Sequence, residues 1–258
     1  MDKEPTILEK EAYLFLSEEK LEQAFRLFKK AAEIYKSRGN HKQSALCFTS
    51  AASCWAKKSG ENTFYNAALS YEEAARQAIK AGDFEYASLL YKHAAINHER
   101  DGEFINFSYC YYISKECYRK FLTYFLINPR KISPITDGKE KRDIKTVIRR
   151  IFLCFTLTFS FIIWGHGERP TRTFITALLV ILFSAFIYTF GNFFGYGVEF
   201  RPDLLKAFYF SVVTFTTLGY GDITPIGFNK LIAIFEAFSA LFIMPLFLVG
   251  LTRKYLRF

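Results

Sequence analysis

No segment of this chain carries arginine at every third position, so it has no voltage sensor of the usual kind. It also lacks a glycine-rich phosphate loop, an EF-hand pattern and a catalytic Ser/His/Asp or zinc arrangement. No enzyme and no organic cofactor are expected. The five cysteines, Cys47, Cys54, Cys110, Cys117 and Cys154, form no CxxC pair, and no histidine stands at ligand spacing beside them. They read as small buried core residues, unpaired in a reducing compartment. The opening MDKEPTILEKE is acidic and polar, unlike a signal peptide. From residue 8 to about 120 there is no proline, and glycine comes only at intervals.

What is present divides the chain in two. Its 258 residues suit one or two domains. The 30 phenylalanines concentrate in the C-terminal half, an apolar bias unusual for a soluble protein. The net charge of +9 allows a nucleic-acid surface, an anionic membrane or simple solubility. The basic residues decide between them: Lys139, Lys141, Arg142, Lys145, Arg149 and Arg150, then Arg253, Lys254 and Arg257, flank apolar segments. That placement favours a membrane. In the N-terminal half the charges alternate in sign (Glu22, Arg26, Lys29, Lys30, Glu33), as on an ordinary solvated face, so no nucleic-acid partner is expected.

Residues 8 to about 120 repeat a pattern. Ala31-Ala32 precedes Gly39, Ala51-Ala52 precedes Gly60, Ala74-Ala75 precedes Gly82, and Ala94-Ala95 precedes Gly102. Each unit reads as one helix ended by a glycine cap, and two units make about 40 residues, a helix-pair repeat. The small pairs let helices approach, and Phe25, Phe28, Tyr35, Phe48, Trp55, Tyr71, Tyr86 and Tyr91 fill the space between them. The segment ALSYEEAARQAIKAGDFEYASLLYKHAAINHERDGEF resembles the tetratricopeptide-like repeats of the SNAP adaptor family. The resemblance implies an α-solenoid offering a surface to a protein partner or ligand. The alternative is an array that only helps subunits assemble.

Residues 129–146, PRKISPITDGKEKRDIKT, read as a linker. IFLCFTLTFSFIIWG at 151–165 is short of the ~20 residues of a spanning helix, so it is either a short third span or a helix at the interface. TFITALLVILFSAFIYTF at 173–190 and KLIAIFEAFSALFIMPLFLVGL at 230–251 are long enough to span, and the basic RKYLRF tail puts the C-terminus inside. Between them, Asp203 caps a half-helix, LLKAFYFSVVTFT, which gives way to TLGYGD. Unpaired backbone at mid-depth is costly unless it lines an ion path. Gly219 and Gly221 permit dihedrals closed to other residues, so successive carbonyls can face one axis. The C-terminal end of the half-helix, pointed at that axis, favours a cation.

The motif TTLGYGD, with its flanks YFSVVTFTTLGYGDITP and EAFSALFIMPLFLVGLTRK, resembles the prokaryotic two-transmembrane potassium channels of the ion-transport type over about 165–258. The resemblance implies a potassium-selective homotetramer in the cell membrane, with K+ as the permeant ion. Carbonyls of Thr217, Leu218, Gly219, Tyr220 and Gly221 would form the filter, flanked by Thr216 and Asp222. Leu218 replaces the commoner Val or Ile, which leaves the carbonyl intact. Tyr220 would pack outward on the neighbouring pore helix, with Tyr209 and Phe210 contributing to an aromatic cuff. Where some relatives carry a pore-helix glutamate that pairs with the aspartate after the filter, this chain has Val213, so Asp222 must bond elsewhere. The family's inner-helix glycine would fall near Ser239-Ala240, where there is none. Bending at Pro245 or Gly250 is the expected substitute, with a static kink at Pro245 as the other reading. Glu236 is charged inside a span and is therefore a candidate for gating, or for an inter-subunit or capping bond.

The expected architecture is all-α: an N-terminal α-solenoid followed by a membrane pore domain. We divide the chain into a cytoplasmic repeat domain at 1–128, a basic linker at 129–150, a short apolar interfacial segment at 151–170 and a pore domain at 171–258. The pore domain comprises an outer helix at 173–191, a pore helix at 203–215, a filter at 216–222 and an inner helix at 229–251. A pore loop entering from outside places both termini in the cytoplasm. Two competing readings are a less selective cation pore and a membrane-anchored adaptor with a vestigial pore.

Overall fold

In the computed structural model the described residues are 4–58, 63–127, 144–195 and 197–255. They are mostly helical and fall into two compact units that divide near residue 160.

The first unit holds α1 (Pro5–Ser17), α2 (Leu21–Ser37), α3 (His41–Lys57), α4 (Thr63–Lys80), α5 (Phe84–Arg100) and α6 (Phe104–Ile127), each packed on the next. Glycine ends three of these helices in the left-handed region: Gly39 at φ 73°, Gly82 at 79° and Gly102 at 83°. At the first, the Gly39 N–H donates to the Lys36 carbonyl at 3.1 Å and the Asn40 N–H to the Tyr35 carbonyl at 2.9 Å. Carbonyls left over at the helix end are thereby satisfied. Gly60 lies outside the described residues. The turn after α1 has the same form with Glu19 at φ 59°, a position no glycine marks.

All eight alanines of the four pairs are at most 1% exposed. Their small side chains bring neighbouring helices close, and Phe28, Phe48 and Tyr91 fill the gaps as buried residues. Asn40 and Asp83 cap α3 and α5, accepting from the Gln43 and Tyr86 N–H groups.

Cys47, Cys54, Cys110 and Cys117 are buried in this unit. Burial pushes all four thiols up, Cys117 to about 11. A thiol raised above its unfolded value of about 8.5 contributes stability below that pH and loses it as pH rises through the folded value. Two outcomes are expected. Maleimide at pH 8 leaves these four cysteines unlabelled in the folded protein, and the repeat unit unfolds more easily as pH climbs past about 9. Rapid native labelling of Cys110 would contradict the packing.

The apolar segment expected at 151–165 is part of a longer helix, α7 (Ile144–Trp164), of 21 residues. Lys145, Arg149 and Arg150 are good helix formers, so the helix continues back through the basic residues that made the apolar run look short. By length and composition, α7 is one of three described helices able to cross a membrane. Its first half lies in the first unit. There the Arg150 guanidinium sits 4.0 Å from the centre of the Phe125 ring, and Cys154 Sγ is 3.6 Å from Thr123 Oγ1.

The second unit contains α8 (Pro170–Tyr188), β1 (Phe193–Gly195), β2 (Val198–Phe200), α9 (Leu204–Phe215), β3 (Ile223–Pro225) and α10 (Phe228–Tyr255). The architecture is all-α apart from this small antiparallel sheet, ordered β2-β1-β3. The sheet has no signal in the sequence, because three-residue strands are too short to show an alternating pattern. Inside the unit, Tyr188, Phe193 and Phe210 meet edge to face with centroids 4.9–5.5 Å apart. Outside, Phe183, Phe186, Phe235, Phe238, Leu241 and Phe242 are exposed, as suits helices surrounded by lipid or by further subunits.

Candidate functional site

The site is built from the end of α9. Asp203 caps the helix, accepting from the Lys206 N–H at 3.3 Å, and the chain then stays helical through an apolar run to Phe215. Thr217 and Leu218 donate back to the Thr214 and Val213 carbonyls, both at 3.1 Å, so the segment 217–222 starts directly at the negative end of the helix dipole.

Beyond that point the backbone alternates. Thr217, Gly219 and Gly221 take φ of 59°, 58° and 76°, while Leu218 and Tyr220 between them do not enter the positive region. In an ordinary strand successive carbonyls point to opposite sides. When every second residue turns left-handed, the peptide planes turn the same way and the carbonyls can share one face. Two of the three left-handed residues are glycines, for which this costs little. The third is β-branched, and Thr217 at positive φ is a strained conformation worth about 1–3 kcal/mol. Its strain lies where the resemblance places the innermost filter position. Residues 217–222 are all exposed in the single chain.

The outer end of the segment is tied down twice. Tyr209 Oη donates to Asp222 Oδ2 at 2.9 Å, and this is the partner Asp222 needed in place of a residue at Val213. Val213 itself is buried. The other tie is the sheet: Ile223 pairs with Gly195, and Thr224 with Phe194. A Cβ at Gly195 would lie 2.9 Å from the Asp222 carbonyl oxygen, so only glycine lets the turret strand come this close to the filter exit. Nothing in the sequence around Gly195 marks this role, which depends on the pairing of β1 with β3. Phe210, expected beside Tyr209 in an aromatic cuff, points instead into its own chain against Tyr188 and Phe193.

Behind the pore helix lies a buried polar cluster. Glu236 on α10 is 2% exposed. Tyr188 Oη on α8 donates to its Oε2 at 2.7 Å, Ser211 Oγ on α9 bonds its Oε1, and Ser184 on α8 is a further partner. Ser211 Oγ also lies 2.9 Å from the Ile181 carbonyl. One carboxyl group thus joins outer, pore and inner helices within a single chain. Of the two bending candidates, Pro245 sits inside α10, which is helical on both sides of it, and removes one backbone hydrogen bond there. Gly250 is buried where α10 crosses the start of α8, and a Cβ would lie 3.3 Å from Pro170 Cβ. Its evident role is close approach.

Tyr209→Phe should free Asp222 and destabilise the outer end of the filter without changing its carbonyls. The expected outcome is a change of about two- to tenfold in current decay, from a hydrogen bond of about 0.5–1.5 kcal/mol, at unaltered ion preference. Patch recording of reconstituted protein checks it, and an unchanged decay would show that the bond is idle.

Residues 175–257 match the family model described as ion channel, and residues 6–120 match that of soluble NSF attachment protein, SNAP. No curated protein and no solved structure matches the chain. The chain therefore joins a helical repeat segment similar to that attachment protein to a segment similar to an ion-channel domain, whose apolar helices suit a membrane.

Proposed function

We propose that four copies of this chain form a potassium-selective channel, each contributing the segment Thr217–Gly221 to a ring of carbonyl oxygens around the axis. The observation that carries this reading is the left-handed backbone at every second residue of 217–221, directly after the C-terminal end of α9. A potassium ion entering such rings exchanges its hydration shell for carbonyl oxygens. Backbone carbonyls ligate it, with the Thr217 hydroxyls adding a ring at the inner end, so the side chain of Leu218 is no obstacle. One chain leaves the segment exposed, and the number four is what the resemblance to tetrameric potassium channels implies. In a bilayer, backbone groups so exposed must face an ion path or another subunit. Tyr220, 67% exposed in one chain, packs outward on the neighbouring pore helix in the assembly.

The channel sits in the cell membrane with both termini cytoplasmic. Cations mark one side: Arg169 and Arg172 at the start of α8, and Arg253 and Lys254 at the end of α10. The first turns of α7 carry Lys145, Arg149 and Arg150 as well, so both of its ends belong on that side and it lies along the cytoplasmic interface. A tag at residue 1 should react only after the cells are permeabilised. The repeat domain then faces the cytoplasm, where it supports assembly, partner binding or gating.

The test is potassium efflux from proteoliposomes. Efflux driven by an outward potassium gradient and blocked by barium supports the channel. Absence of flux from verified tetramers, both for the full chain and after deletion of residues 1–130, would refute it and leave a membrane-anchored adaptor.

A further inference from the structure

In the first unit, three helices bring together side chains that are far apart in sequence. Glu72 on α4, His98 on α5 and Cys110 on α6 place a carboxylate oxygen, a ring nitrogen and a thiol sulfur all within 4.8 Å of one another. His98 and Cys110 are fully buried, and the Glu72 side chain is 12% exposed. His98 Nε2 lies 2.7 Å from Glu72 Oε1, and the Cys110 thiol bonds to the same carboxylate. The other carboxylate oxygen, Oε2, faces Arg76 Nη2 at 3.4 Å, which holds the group with Oε1 turned inward. The Tyr65 ring stands edge-on to the imidazole at 6.2 Å. His98 Nδ1 is buried and has no hydrogen-bond partner.

We propose that Glu72, His98 and Cys110 form a binding site for one divalent cation of the zinc class, clamping α4, α5 and α6 together. The donor set of one nitrogen, one sulfur and one carboxylate oxygen is the one such a cation takes, and it is wrong for calcium or magnesium, which require mostly oxygen. Three protein ligands leave a fourth position for water on the Glu72 side, where the cluster meets solvent. On binding, the Cys110 thiol gives its proton to solvent, and thiolate and carboxylate together balance the charge of the ion. A simple Glu–His pair would explain the 2.7 Å contact; the Cys110 thiol, converging on the same carboxylate, adds the third donor. Arg76 orients the carboxylate from the far side, as outer partners of metal ligands do.

The test uses the full chain, without a histidine tag, in detergent and stripped with chelator. Cobalt is titrated as the probe. The site predicts a sulfur-to-cobalt charge-transfer band in the near ultraviolet that saturates at one cobalt per chain and disappears when zinc is added. Cys110→Ser should remove the band, and Cys117→Ser, on the same helix but outside the cluster, should keep it. Glu72→Gln, nearly isosteric and thus the safer variant for folding, should weaken binding by about tenfold or more. Zinc should also raise the melting temperature of the wild-type helical signal. No thiolate band in the wild type, or a band that persists in Cys110→Ser, would overturn the proposal.

Discussion

Gly219→Ala should abolish potassium selectivity while leaving the protein folded and assembled. Gly219 holds φ at 58°, and no atom would lie within 4 Å of an added Cβ. The damage is therefore conformational: an L-residue held left-handed costs about 1–2 kcal/mol. In the proposed tetramer four copies would meet at one axis, so the cost would be repeated four times in the structure that must stay open. The cheapest relief is to flip the peptide and turn a carbonyl away from the ion path. The expected result is a permeability ratio of potassium to sodium falling toward unity, or loss of current altogether, in tetramers that still elute normally. A Gly219→Ala channel with wild-type selectivity would mean that the left-handed backbone is not what selects the ion.

The second large effect is expected at Glu236. Its carboxyl group is bonded by hydroxyls on two other helices, Tyr188 on α8 and Ser211 on α9. Glu236→Leu leaves both hydroxyls buried without that acceptor. Hydrogen bonds between membrane helices are worth about 1 kcal/mol each, so the loss is roughly 2 kcal/mol per chain before any repacking. Glu236→Gln keeps one carbonyl acceptor and should cost about half as much. Because α9 would carry the proposed filter and α10 would line the pore, the change should also speed the decay of current. Thermal dissociation of the purified tetramer is the readout for stability, and a double-mutant cycle with Tyr188→Phe isolates the pair. Equal melting of Glu236→Leu and wild type would mean that the cluster carries no stability.

Some of this was legible in the sequence for a plain physical reason. Gly39, Gly82 and Gly102 mark helix ends because a left-handed cap selects glycine locally. The alanine pairs announce close packing because only small side chains allow it. TTLGYGD announces an unusual backbone because two glycines flank its tyrosine. What escaped depends on contacts between distant residues or on conformations the residue type conceals. Glu19 and Thr217 sit at positive φ without being glycine. The Tyr209 bond to Asp222 and the approach of Gly195 to the Asp222 carbonyl both require the folded turret. The extent of α7 is hidden because its apolar run covers only part of it, and the Lys and Arg before that run continue the helix readily. His98 and Cys110 are twelve residues apart across a turn, and no ligand spacing connects them until α5 and α6 pack.

The most direct test of the central claim is the reversal potential of the reconstituted wild-type protein under a potassium gradient, with sodium replacing potassium on the low-potassium side so that total cation is equal on both sides. A carbonyl-lined filter predicts a value close to the potassium equilibrium potential, at any gradient imposed. A reversal near zero, with current flowing, would contradict potassium selectivity and make this a general cation pore.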